Sequence, residues 1–156
     1  MKRTIATVVT TAIVTAAISI ACFAGCSKKS NKQTATAYLN QEGPTIEATV
    51  DLSKGYSCDF ARGAIYLYDQ ENNEGVEAVA LGITLSEEVY NDYLNESKMA
   101  DANAKDFNGG VMYKADDQMV FITKVGEDAF FGVFADDATP SQMENLVNRF
   151  SVAPEF

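Results

Sequence analysis

Carboxylates and a single core thiol are the groups with which this chain could do chemistry, because it contains no histidine. Without histidine, the commonest general base and the commonest metal ligand are both missing. Cys58 is the one candidate nucleophile in the body of the chain. A reactive thiolate needs a neighbouring cation or helix N-terminus and some exposure. Cys58 instead alternates in phase with Tyr56 and Phe60, which directs it to the core face of a strand. A buried structural cysteine is expected. The adjacent acids Asp116-Asp117, Glu127-Asp128 and Asp136-Asp137 could perform acid–base work if burial split their pKa values. Neighbouring acids in a turn both face water, however, and Asp is a good turn former. Solvated turns are expected. If several of these loops gather at one end of a sheet, they make an acidic rim able to meet a basic partner.

The run Asp69-Gln70-Glu71-Asn72-Asn73-Glu74-Gly75 places oxygen ligands at alternate positions, as a calcium loop does. The EF-hand pattern requires Gly at its sixth place and Glu at its twelfth. Glu74 and Ala80 stand there instead, so a hairpin turn is the expectation. Tyr66 and Tyr68 share one strand face, and tyrosine is enriched at recognition surfaces. Together with Asp116, Asp117, Asp136 and Asp137 they form the candidate partner surface. No Gly-rich phosphate loop, nucleophile elbow or Cys/His metal spacing occurs. No cofactor, metal or catalytic residue is therefore assigned.

Charge narrows the partners. The chain has 12 basic and 22 acidic residues, a net charge of −10. If Lys2 and Arg3 were removed with a leader, 10 basic residues would face the same 22 acids, net −12. Such a field repels phosphate backbones, which argues against nucleic acid.

The N-terminus begins with the basic pair Lys2-Arg3, followed by residues 5–23 without a charge. Phe23-Ala24-Gly25-Cys26 comes next, and then Ser27-Lys28-Lys29-Ser30. A basic start, an apolar stretch and small residues before a break are the signature of a secretory signal. The segment resembles bacterial lipoprotein precursors, whose lipobox ends in a small residue, Gly or Ala, then Cys. Ala24, Gly25 and Cys26 match it, whereas Phe23 stands where Leu is usual. The resemblance implies cleavage after residue 25 and a diacylglyceryl group on Cys26, with palmitate-type acylation anchoring the protein to a membrane. Dual acylation anchors durably where a single chain is marginal. An uncleaved signal anchor and ordinary secretion are the alternatives. All three place the domain outside the cytoplasm. On the lipoprotein reading Cys22 leaves with the leader and Cys26 is acylated, so Cys58 has no disulfide partner. Residues 26–44, poor in apolar side chains, then form a flexible tether.

Residues 45–156 are expected to be one globular domain. Ile46, Ala48, Val50 and Leu52 alternate with Glu47, Thr49 and Asp51, as in a half-buried strand. Further strands are expected around residues 56–60, 64–69, 76–84, 111–114, 119–125 and 129–135, with turns at Arg62-Gly63, Asp116-Asp117 and Gly126-Glu127-Asp128. Ser86 can cap a helix over residues 86–97 carrying Val89, Tyr90, Tyr93 and Leu94 on one stripe. Thr139-Pro140-Ser141-Gln142 is a capping box, Met143, Leu146, Val147 and Phe150 extend a helix over 140–150, and Val152 to Phe156 are expected to return to the sheet as a short edge. The sum is an α+β fold, a mostly antiparallel sheet of about six strands packed with two helices. The Gly55-Tyr56-Ser57 strand start, the meander and the closing helix loosely resemble the PsbP-like fold of small exported proteins. That resemblance implies a binding or assembly role.

The reading that follows is a cell-envelope lipoprotein serving as a non-enzymatic binding or assembly module for a protein or small ligand. Two alternatives stay open: an acidic inhibitor or immunity-type protein of a basic envelope enzyme, and a hydrolase that relies on carboxylates alone.

Overall fold

The computed structural model describes residues 34–40, 43–71, 77–100 and 104–155. The leader, Cys26 and the first part of the expected tether lie outside them. Strands β1 (Thr34–Leu39), β2 (Ile46–Asp51), β3 (Tyr56–Ala61), β4 (Ala64–Asp69) and β5 (Ala80–Leu85) precede helix α1 (Glu87–Met99). Strands β6 (Lys105–Phe107), β7 (Gly110–Ala115), β8 (Gln118–Val125) and β9 (Ala129–Asp136) follow, then helix α2 (Pro140–Val147) and β10 (Phe150–Pro154). All paired strands are antiparallel. They form a seven-stranded sheet in the order β3-β4-β5-β9-β8-β7-β6 and a three-stranded sheet in the order β1-β2-β10. The α+β expectation holds, but among the described residues ten strands in two sheets replace the single sheet of about six.

Strands β1, β6 and β10 enlarge the count; β6 is only three residues long, and the other two correct the sequence reading. First, β1 lies within the stretch expected to be tether and pairs residue by residue with β2, from Thr34 opposite Asp51 to Leu39 opposite Ile46. Its polar residues face outward: the Thr36 and Thr49 hydroxyls are 2.9 Å apart, and Tyr38 donates to Glu47 at 3.0 Å. Ala37 and Leu39 are buried. A strand with one solvated face needs only alternate apolar residues, so low mean hydropathy did not mean disorder. Second, α2 stops at Val147, and Phe150 begins β10 opposite Val50. Phe150 continues the Met143, Leu146, Val147 stripe because the helix and the returning strand face the same core. The ring reaches Phe131 at 5.7 Å between centroids. Helical spacing alone could not separate these two ways of burying it.

The large sheet is buried on both faces. Phe131, Val133, Met119 and Phe121 face the small sheet and α2, while Phe130, Phe134, Val120 and Ile122 face α1. That double cover explains the near-continuous apolar runs of β8 and β9. Gly82 on β5 leaves room where the layers meet: a Cβ there would stand 2.8 Å from the Phe150 ring. Both helices cap as expected. Ser86 accepts from the Val89 N–H at 3.2 Å. Thr139 and Gln142 exchange bonds of 2.8 and 3.2 Å with Pro140 at the helix start.

Candidate functional site

Antiparallel pairing decides which turns share an end of the sheet. Gln118 pairs with Asp136, and β5 runs between β4 and β9, pairing Ala80 with Leu67 and Leu81 with Phe134. This puts the β7–β8 turn, the end of β9, the start of β5 and the end of β4 at one end of the sheet. Two bonds lock the acidic turns together. Gln118 Nε2 donates to Asp136 Oδ1 at 2.8 Å, and the Asp137 N–H donates to the Asp117 carbonyl at 2.7 Å. Asp116 and Asp137 hold left-handed backbone, φ 53° and 54°, a conformation that short polar side chains tolerate. Asp116, Asp117, Asp136 and Asp137 therefore do form one acidic edge. Glu127 and Asp128 sit in the β8–β9 turn at the opposite end.

Beside this edge, on the face that carries α2, lies an open cleft of about 370 Å³. Asp69 of β4, Glu77 ahead of β5, and Asp136 with Asp137 at the end of β9 supply four carboxylates. Tyr56, Val79, Ala138 and Leu146 supply the apolar lining, and Gln142 and Asn145 project from α2. No Lys or Arg lines it among the described residues. Asp69 is the sunken member, 9% exposed, and its Oδ1 accepts the Glu71 N–H at 3.1 Å. Asp136 and Asp137 are exposed. Tyr56 is held from behind: the Arg149 guanidinium lies 3.5 Å from its ring centroid. Arg149 Nη1 donates to the Asp51 and Ser53 carbonyls at 2.9 and 2.8 Å. One side chain thus ties the α2–β10 junction to the loop entering β3. A concave, carboxylate-rimmed site with apolar walls suits a cationic head on a hydrocarbon stem, as in lysine, arginine or an alkylamine.

Tyr66 and Tyr68 are elsewhere. They alternate on β4 with Ile65 and Leu67, so they face the α1 side of the sheet, away from the cleft. Both are half-buried, and burial together with Asp59 pushes the Tyr68 phenol above its ordinary value. Cys58 sits where alternation put it, half-buried against the core shared with the small sheet. Burial, helped by Asp59, pushes its thiol up to about 11, which suppresses the thiolate a nucleophile needs. Among the described residues no cluster of three or more Cys, Asp or Glu is placed to hold a metal ion. Sequence alone marks Tyr56 and Asp69 only as strand and turn residues, and Gln142 only as a cap. Nothing in it marks Glu77 or Asn145. Asn145 lies three residues after Gln142 on α2, off its buried stripe, and that spacing is the one available sign of a second helix face.

No family model matches the chain, no curated protein matches it, and no solved structure matches it. Among the described residues, no helix is long and apolar enough to cross a membrane.

Proposed function

We propose that this chain is a cell-envelope lipoprotein whose head is a non-enzymatic module that binds a basic partner in the acidic cleft. The observation that carries the binding half is the meeting of Asp69, Glu77, Asp136 and Asp137 around apolar walls. Like charges held together in one concavity favour a cation, and field focusing speeds its approach. The anchoring half rests on Ala24-Gly25-Cys26 after an uncharged stretch, and the PsbP-like resemblance of the element order agrees with a binding or assembly role.

Each half has its own test. For the anchor, native and Cys26→Ser full-length chains are expressed in a bacterial host, fed labelled palmitate and fractionated. Label and membrane association are expected only in the native chain; a Cys26→Ser chain that stays membrane-bound at unchanged size ends the anchor reading. For the cleft, the full-length chain is titrated with lysine-rich and neutral peptides at rising salt. Selective, salt-weakened binding is expected, reduced by Glu77→Gln with Asp137→Asn. Equal binding of the neutral peptide, or no effect of the double substitution, ends the cleft reading. The projecting Asp116-Asp117 turn also favours the inhibitor reading, in which the basic partner is an enzyme. Loss of a cationic hydrolase's activity on mixing would select it.

A further inference from the structure

We propose that Asn108-Gly109 is a site of spontaneous covalent modification, where the backbone converts Asn108 to aspartate and isoaspartate. The two residues form the whole connection between β6 and β7, since Phe107 pairs directly with Gly110. Both have positive φ, 45° and 76°, as a two-residue mirror-image turn requires. Both are exposed. The register leaves the Gly109 N–H outside the ladder, and the place where a Cβ would stand on Gly109 has nothing within 4 Å.

The chemistry follows from that exposure. Hydroxide removes the Gly109 amide proton, and the nitrogen attacks Cγ of Asn108. The Cγ–Nδ2 bond breaks, ammonia leaves, and a five-membered cyclic imide remains. Water then opens either imide carbonyl, giving aspartate by one route and isoaspartate by the other. Asparagine is thermolabile for this reason, and a following residue without a Cβ leaves the attack unhindered. None of the other described asparagines is followed by glycine. Asn91, Asn95 and Asn145 also lie within helices, where the next N–H is held in the helical ladder. Asn148 is followed by Arg149, whose N–H donates to the Leu146 carbonyl at 3.1 Å. Asn40 is followed by Gln41, whose side chain hinders the attack.

The side chain of Asn108 is also structural. Its Nδ2 donates to Asn148 Oδ1 at 2.6 Å, beside the Lys105–Glu144 ion pair that also joins β6 to α2. Conversion removes that donor, and isoaspartate adds one methylene to a turn whose two-residue length sets the β6–β7 register. Of these two side-chain ties between the β6 hairpin and α2, only the Lys105–Glu144 ion pair then remains.

The test is incubation of the full-length chain in warm, mildly alkaline buffer, followed by peptide mapping and isoaspartate detection. The peptide containing Asn108 is expected to gain the amide-to-acid mass increment, while those containing Asn40, Asn91, Asn95, Asn145 and Asn148 do not. Gly109→Ala should slow conversion by roughly tenfold, as a modestly raised barrier does. Asn148→Ala should accelerate it, because freeing Nδ2 lets Cγ turn toward the Gly109 nitrogen. If Asn108 survives while an unstructured peptide of the same local sequence converts, the turn protects it and the proposal fails. Conversion spread evenly over the other asparagines overturns it too.

Discussion

The two faces of the seven-stranded sheet are covered in different ways. On one, the single helix α1 lays aromatic rings on aromatic rings: Tyr90 stacks on Phe130 at 4.5 Å and Tyr93 tilts over Phe134 at 5.2 Å. The Tyr113 hydroxyl, under that helix, donates to Glu96 at 2.9 Å. On the other face the cover is split between the three-stranded sheet and the short helix α2. The acidic cleft lies beside α2 at one end of the large sheet, lined by β3, β4, the approach to β5, β9 and α2 and by no residue of the small sheet. The long helix α1 closes its face into a core, whereas the short α2 leaves room beside it for a site.

The contrast can be broken experimentally. The largest effect is expected from Phe134→Ala on the α1 face. It should destabilise the fold by roughly 3–5 kcal/mol in urea melts, through lost burial and an unfilled cavity. Binding of lysine-rich peptide by the remaining folded protein should not change. Weakened binding in that folded fraction would show that the faces are coupled. Next comes Arg149→Met, which keeps the stem but removes the donors to two carbonyls and the cation over Tyr56. A loss of about 2–3 kcal/mol is expected from stranded hydrogen-bond partners and the lost ring contact. Here stability and peptide affinity should fall together, because Tyr56 lines the cleft.

Thr139→Ala removes the capping box of α2 and should reduce stability by about 1 kcal/mol. Hydrogen exchange should quicken in residues 140–147 and not in α1; matched quickening in both helices would contradict independent covers. The smallest effect is set by pH. In the unfolded chain Cys58 ionises near its ordinary value of 9.0, whereas the fold holds its proton to about 11. The folded state therefore binds more protons across that window, and stability is lost as pH rises through it, with no effect below. A Cys58→Ala chain should show a shallower alkaline loss. Thiol labelling of the native protein should accelerate only toward the upper end of the window.

Much of this architecture is legible in local chemistry. The Arg62-Gly63 and Asp116-Asp117 turns, the β7-β8-β9 meander, both caps and the inward phase of Cys58 stand where residue type and alternation put them. β1 is hidden because Thr34, Thr36 and Tyr38 are polar, and only Ala37 and Leu39 report the buried face. β6, three residues long, carries too little pattern to register. The acidic edge is half visible: its four aspartates stand out as turn acids, but Tyr66 and Tyr68, grouped with them by residue type, face the other layer.

Residue chemistry and the two-residue period of extended chain are enough to settle the sign of charge, the turns and the face each strand residue takes. Neither says that β5 lies beside β9, that β10 returns to β2, or that Asp69 and Glu77 meet Asp136 and Asp137. Those neighbours come from long-range packing. Alternation tells a strand which way to face; which strand it lies beside depends on how distant segments together bury the most apolar surface.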